Sequence, residues 1–161
     1  VEALKRSVER RIRKPILEGS LSLVFGDDET IRYAKKIAPP TTKDRFIVIG
    51  HGSPYGILVN GKEEGAGAIA VRIRKSKEFV GGHQVVWLYC CETGKEPKGF
   101  AQQLANILEV TVMAPDKNVH PLGKEFEVGY RYRNMFTGKY EWIKGKFNKF
   151  SPNVTILRHK R

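Results

Sequence analysis

Apolar residues follow two rhythms along this chain, and the alternation between them outlines its architecture. A recurrence every three or four positions predicts helices. It appears over residues 1–18 (Leu4, Val8, Ile12, Ile16), then in Ile31, Ala34 and Ile37, and over residues 66–78 with Ile69 and Ile73 inward. Its clearest instance is residues 98–108, where Phe100, Ala101, Leu104, Ala105 and Leu108 share one face. Short continuous or alternating runs over residues 20–25, 45–49, 84–89 and 110–114 predict strands, rich in β-branched and aromatic side chains. Pro15 stops the first helix near Arg13 or Lys14, Asp27 or Asp28 supplies a cap for the second, and Pro39-Pro40 ends it. Asn60-Gly61 after Ile57-Leu58-Val59 marks a hairpin.

From Gly123 the rhythm becomes alternating and aromatic, with Phe126, Val128, Tyr130 and Tyr132, then Tyr140, Trp142 and Ile143 across a Thr137-Gly138 turn. The expected order is β-α-β-(hairpin)-α-β-α-β followed by an antiparallel appendage. Such an order argues for an α/β fold, a mostly parallel sheet flanked by helices with a C-terminal antiparallel β-ribbon. A chain of 161 residues suits one domain. Its expected parts are an N-terminal basic helix (1–18), an α/β core (20–116) and the antiparallel appendage (123–158), which finishes with a strand over 154–157.

Composition narrows the functional classes. With 40% hydrophobic and 29% charged residues the chain is an ordinary folding sequence, and no apolar run reaches the roughly 18 residues of a membrane span. The start, Val1-Glu2-Ala3-Leu4-Lys5-Arg6, lacks a signal-peptide core and an initiator methionine, so an excised piece of a larger protein is expected. Localisation is not readable from that terminus. The net charge is +12, with Lys5, Arg6, Arg10, Arg11, Arg13 and Lys14 at one end and Lys139, Lys144, Lys146, Lys149, Arg158, Lys160 and Arg161 near the other. Such a field attracts polyanions, and the candidate anion-binding residues are Arg10, Arg11, Lys144, Lys146 and Lys149. Solvated surface is the competing reading.

The only cysteines, Cys90 and Cys91, are adjacent, so on a strand they face opposite ways and a relaxed mutual disulfide is disfavoured. The four histidines follow no zinc-binding spacing, no metal site is expected, and reduced thiols favour action in a cytosol. Reactive residues follow two of the apolar strands: His51-Gly52 after Phe46-Ile47-Val48-Ile49-Gly50, and Cys91-Glu92-Thr93-Gly94 after Val85-Val86-Trp87-Leu88-Tyr89-Cys90. Carboxyl ends of neighbouring parallel strands open onto a shared crevice, so a histidine and a cysteine there can meet as base and nucleophile. Taken singly, each is more often a turn or core residue. His83 reads as a loop residue at the opposite strand end, His120 as a weaker candidate for the crevice, and His159 as a tail residue.

The stretch His51-Gly52-Ser53-Pro54-Tyr55-Gly56-Ile57-Leu58-Val59, together with Cys91-Glu92-Thr93-Gly94, resembles the caspase–legumain–gingipain superfamily (clan CD) of cysteine peptidases. It also resembles the self-processing cysteine peptidase domains of large bacterial toxins. The resemblance covers about residues 20–116 and implies a caspase-hemoglobinase-like fold. It implies His51 as catalytic histidine, Cys91 as nucleophile and the backbone of Gly52 and Cys91 as oxyanion donors, with Cys90 as the alternative nucleophile. Ser53, Glu92, Thr93 and Asp116 are the expected substrate-crevice residues.

The expected function is a cysteine-peptidase-like acyl-transfer domain, a module of a larger bacterial effector or toxin. Its substrate would be a polypeptide or the parent protein itself. No cofactor is required by the sequence; the resemblance suggests a polyanionic, inositol-phosphate-like activator, and the charge suits an acidic inhibitor or immunity protein as partner. Two alternatives stand beside it: a basic toxin domain that binds or cleaves nucleic acid through His51, His120 and the lysine-rich ribbon, and a catalytically inactive interaction module.

Overall fold

The computed structural model describes residues 22–153. The expected basic helix over 1–18, Arg10 and Arg11 within it, and the expected strand over 154–157 lie outside the described residues. The elements run β1 (Leu23–Val24), α1 (Glu29–Ile37), β2 (Arg45–Ile49), β3 (Gly52–Ser53), β4 (Gly56–Val59), β5 (Lys62–Glu64) and α2 (Ala66–Lys75). They continue with β6 (Val85–Tyr89), α3 (Phe100–Leu108), β7 (Val112–Pro115), β8 (Asn118–Leu122), β9 (Glu125–Arg133), β10 (Tyr140–Lys144) and β11 (Phe147–Phe150).

A five-stranded sheet, ordered β1-β2-β6-β7-β11, forms the centre. Its first four strands are parallel, and β11 closes the far edge antiparallel to β7. The α/β class and the mostly parallel sheet are therefore as expected. Phe46, Val48, Val86 and Leu88 point to one face, where Ile69 and Ile73 of α2 and Phe100, Leu104 and Leu108 of α3 cover them. Ile47 and Ile49 point to the other face, against Ile31 and Ala34 of α1 and beside Trp87, Tyr89 and Phe126. The period-2 alternation of strand side chains thus sends each central strand's apolar residues into two cores.

Two small antiparallel sheets attach to this frame, β3-β4-β5 and β10-β9-β8. The appendage begins earlier than expected, because β8 starts at Asn118. Pro121 is accommodated within β8 because this is an edge strand, with β9 as its one strand partner, where a missing N–H is tolerated. The appendage also ends differently. Residues 147–150 leave the ribbon and join the central sheet, because Phe147 packs edge-on to Trp87 and Tyr89 (centroids 5.3 and 5.4 Å) and Phe150 is buried in the core.

Other boundaries shift modestly. The first described strand spans only Leu23–Val24, α2 stops at Lys75 and α3 starts at Phe100, after the Gly99 cap. Leu104 is fully buried between α3 and the sheet, whereas Leu58 on β4 is 44% exposed. Leu104→Ala should cost about 2–5 kcal/mol through lost burial and a residual cavity. Leu58→Ala should stay within about 0.5 kcal/mol. Chemical denaturation of both variants checks the contrast.

Candidate active site at the strand ends

β2 and β6 pair in parallel with Ile49 opposite Tyr89, so the chains leading to His51 and Cys91 leave the sheet side by side at its carboxyl edge. Alternation then sorts the side chains. Cys90 continues the series Val86, Leu88 into the core under α2 and α3, is 1% exposed, and directs its thiol at the Val48 carbonyl (3.8 Å). Cys91 faces the opposite side, where its Sγ meets the backbone of Val119 on β8, 3.4 Å from the N–H and 3.9 Å from the carbonyl. His51 is directed at Asp28, at the amino end of α1.

Gly52 makes the junction possible. A Cβ there would lie 2.8 Å from the Cys91 carbonyl oxygen, 2.8 Å from Cγ2 of Thr93 and 3.0 Å from Cβ of Cys90. The backbone after His51 is thereby in direct contact with the loop that carries both cysteines, and only glycine fits. Glu92 adopts a left-handed conformation (φ 59°), turning the chain sharply just after Cys91. That turn is held by Thr93, whose buried hydroxyl donates to the Cys90 carbonyl (2.9 Å), and by Glu92 N–H donating to Lys117 O (2.9 Å).

Asp28 joins the site, although its sequence signal was that of a helix cap. Its Oδ1 accepts from the Ile31 N–H (3.1 Å), capping α1, while Oδ2 lies 2.6 Å from His51 Nε2. The Asp28 carboxyl is held below the ordinary carboxylate range, by His51 first and the Ile31 N–H second. Burial pushes the Cys91 thiol up, opposed in part by the Val119 N–H and reinforced by the Glu92 charge. Burial raises the Cys90 thiol much further. No hydrogen bond joins His51 to Cys91; each is engaged by its own neighbour, Asp28 or Val119.

The other expected site residues divide. Ser53 donates to Glu63 within the β3–β5 hairpins, and Thr93 is sealed inside its turn. Glu92 and Asp116 line an open polar cleft of about 730 Å³ with Lys95, Lys117, Tyr130 and Arg131. A second cleft of about 410 Å³ adjoins His51, walled by Phe25, Asp27, Leu58 and Asn60. His120 makes no hydrogen bond to the thiol: its ring packs edge-on to Trp142 (5.4 Å), and its buried Nε2 has no partner. Lys144, Lys146 and Lys149 are exposed on β10, the β10–β11 link and β11. Among the described residues no group of His, Cys, Asp and Glu gathers that could hold a metal ion, and no helix is long and apolar enough to cross a membrane.

A family model described as "Domain of unknown function (DUF8616)" matches residues 19–127, a span that includes both strand ends and stops within β9. No curated protein and no solved structure matches the chain.

The two thiols should separate cleanly under alkylation. In the folded protein iodoacetamide should modify Cys91 alone, at a rate still rising above the ordinary thiol pKa of about 8.5. Cys90 should react only in denaturant, and peptide mapping by mass spectrometry reads both. Asp28 has a pH signature as well. Because its folded pKa is depressed, its stabilisation is present above the unfolded value of about 3.9 and is lost as pH falls through the folded one. Asp28→Asn should therefore flatten the acid limb of the Tm–pH curve.

Proposed function

This chain belongs to the DUF8616 family, and we propose that it is a cysteine-peptidase-like acyl-transfer domain of the caspase–legumain–gingipain type, working through His51 and Cys91. The observation that carries this reading is the in-register parallel pairing of β2 with β6, which brings the chain at His51 and the chain at a partly exposed Cys91 to the same carboxyl edge of the sheet. The contact of Gly52 with the cysteine loop supports it, and so does Asp28 on the histidine, a third group orienting a base.

In this reading Asp28 engages His51 Nε2, leaving Nδ1 to take the Cys91 proton. The thiolate attacks the scissile carbonyl carbon, and the oxyanion is met by backbone N–H groups of Gly52 and Cys91, as the resemblance implies. Collapse breaks the C–N bond, His51 returns its proton to the leaving amine, and water then hydrolyses the thioester. Cys91 with a raised pKa, bonded to Val119, is a resting nucleophile, so β8 must yield before attack. The cleft bearing Lys95, Lys117 and Arg131 adjoins β8 and suits a polyanionic activator. The natural setting is a module of a larger bacterial effector or toxin, with the parent chain as substrate.

Intact-mass analysis after treatment with a thiol-directed peptide electrophile tests the assignment. Wild type should gain one adduct, and Cys91→Ala none. Cys90→Ala should keep the adduct while losing on the order of 1 kcal/mol of stability, as small core truncations do. Capture that persists undiminished in Cys91→Ala would remove the nucleophile from this reading.

A further inference from the structure

The ladder registers reveal a feature independent of the cysteine site. β8 pairs with β9 only from Glu125 to Gly129, and β10 pairs with β9 only from Gly129 to Arg133. Beyond Gly129 the ribbon is therefore a bare two-stranded arm, reaching roughly 14 Å along β9 before its turn. Two-stranded hairpins are marginal in water, and this one adds an apolar apex: Met135 is 89% and Phe136 100% exposed. The apex is preorganised. Asn134 Oδ1 accepts from the N–H groups of Phe136 (2.8 Å) and Thr137 (3.2 Å), and Gly138 N–H donates to Asn134 O (2.8 Å).

Behind the apex the arm is layered. Directly opposed residues share a face, so one face presents Arg133 with Tyr140, then Arg131 with Trp142 about 7 Å deeper, then Lys144 beside Gly129. Arg131 lies over the Tyr140 ring (5.8 Å), and the Trp142 indole rests against Gly129, where a Cβ would come within 2.6 Å of it. Among the described residues none of Arg131, Arg133, Lys139 and Lys144 has an acidic partner. The arm's one carboxylate, Glu141, is on the other face, held by Tyr132 and Asn134.

We propose that the β9–β10 arm docks this protein on an anionic lipid surface, with Met135 and Phe136 entering the interface of the bilayer. From the tip backward, an apolar apex and then two rows that each set an arginine beside a Tyr or Trp match the acyl boundary and then the headgroup layer of a bilayer, taken from its interior outward. The unpaired cations supply the charge complementarity to acidic headgroups. A single-stranded nucleic acid would use the rings and cations of the face, but it gives no reason for Met135, which has no stacking surface. The family-matched segment ends at residue 127, so the arm lies beyond it.

Co-sedimentation of the full chain with vesicles tests this directly. The protein should bind vesicles of equal parts phosphatidylcholine and phosphatidylserine, should not bind pure phosphatidylcholine, and should release as salt rises. Met135→Ser/Phe136→Ser should weaken partitioning at least about tenfold with Tm unchanged, because both side chains are solvent-exposed. Arg131→Glu/Arg133→Glu should abolish the preference for phosphatidylserine. A Phe136→Trp variant should be quenched by brominated lipid more strongly than wild type, which separates insertion of the apex from attraction of the basic termini. The proposal falls if the wild type ignores acidic vesicles, if the apex variant binds them as well as wild type, or if the Phe136→Trp variant is quenched no more than wild type. It falls equally if a single-stranded oligonucleotide displaces the protein from vesicles and binds the apex variant undiminished.

Discussion

The geometry of this molecule hangs on one ladder, the parallel pairing of β2 with β6. Five consecutive residues on each strand are in register, from Arg45 with Val85 to Ile49 with Tyr89. A slip of one residue would exchange faces along the whole strand, setting Cys91 in the core and Cys90 beside β8. Burial of Phe46, Val48, Val86 and Leu88 on one side and Ile47 and Ile49 on the other makes such a slip prohibitive. The chemistry at the edge inherits that precision. Adjacent, chemically identical thiols acquire opposite characters because successive strand residues point opposite ways.

Much of this was legible in the sequence because apolar patterning acts locally. The four core strands and the helices of residues 29–37, 66–75 and 100–108 follow from periodicity, with errors confined to a few terminal residues. What periodicity missed depends on contacts distant in sequence. Phe147 and Phe150 look like the tail of an alternating ribbon, and only their packing on Trp87, Tyr89 and the core draws β11 to the central sheet. β8 carries no clear alternation and contains Pro121, which a strand accepts only at an edge, a position that depends on its pairing with β9.

The site shows the same division. His51, Gly52 and Cys91 stand out because small and reactive residues follow apolar runs, a signal contained in a few positions. Asp28 gave only a cap signal, and a cap it is; that its second oxygen also meets His51 follows from β1 and β2 lying side by side. Val119 gave no signal at all, since it acts through its backbone. Backbone partners of a reactive group are invisible to residue-type reasoning, although here they govern the state of the thiol.

The rung at Gly129 belongs to two ladders at once, in register with Asn118 on one side and Lys144 on the other. In mechanical terms the arm is a cantilever clamped at that rung. A load on the apex acts through a lever of roughly 14 Å and is felt as torque at the clamp. Asn118, the partner of Gly129 at that clamp, is the immediate neighbour of Val119, whose backbone meets the Cys91 sulfur. The far end of the ribbon and the strand whose backbone meets the thiol thus share a single point of attachment.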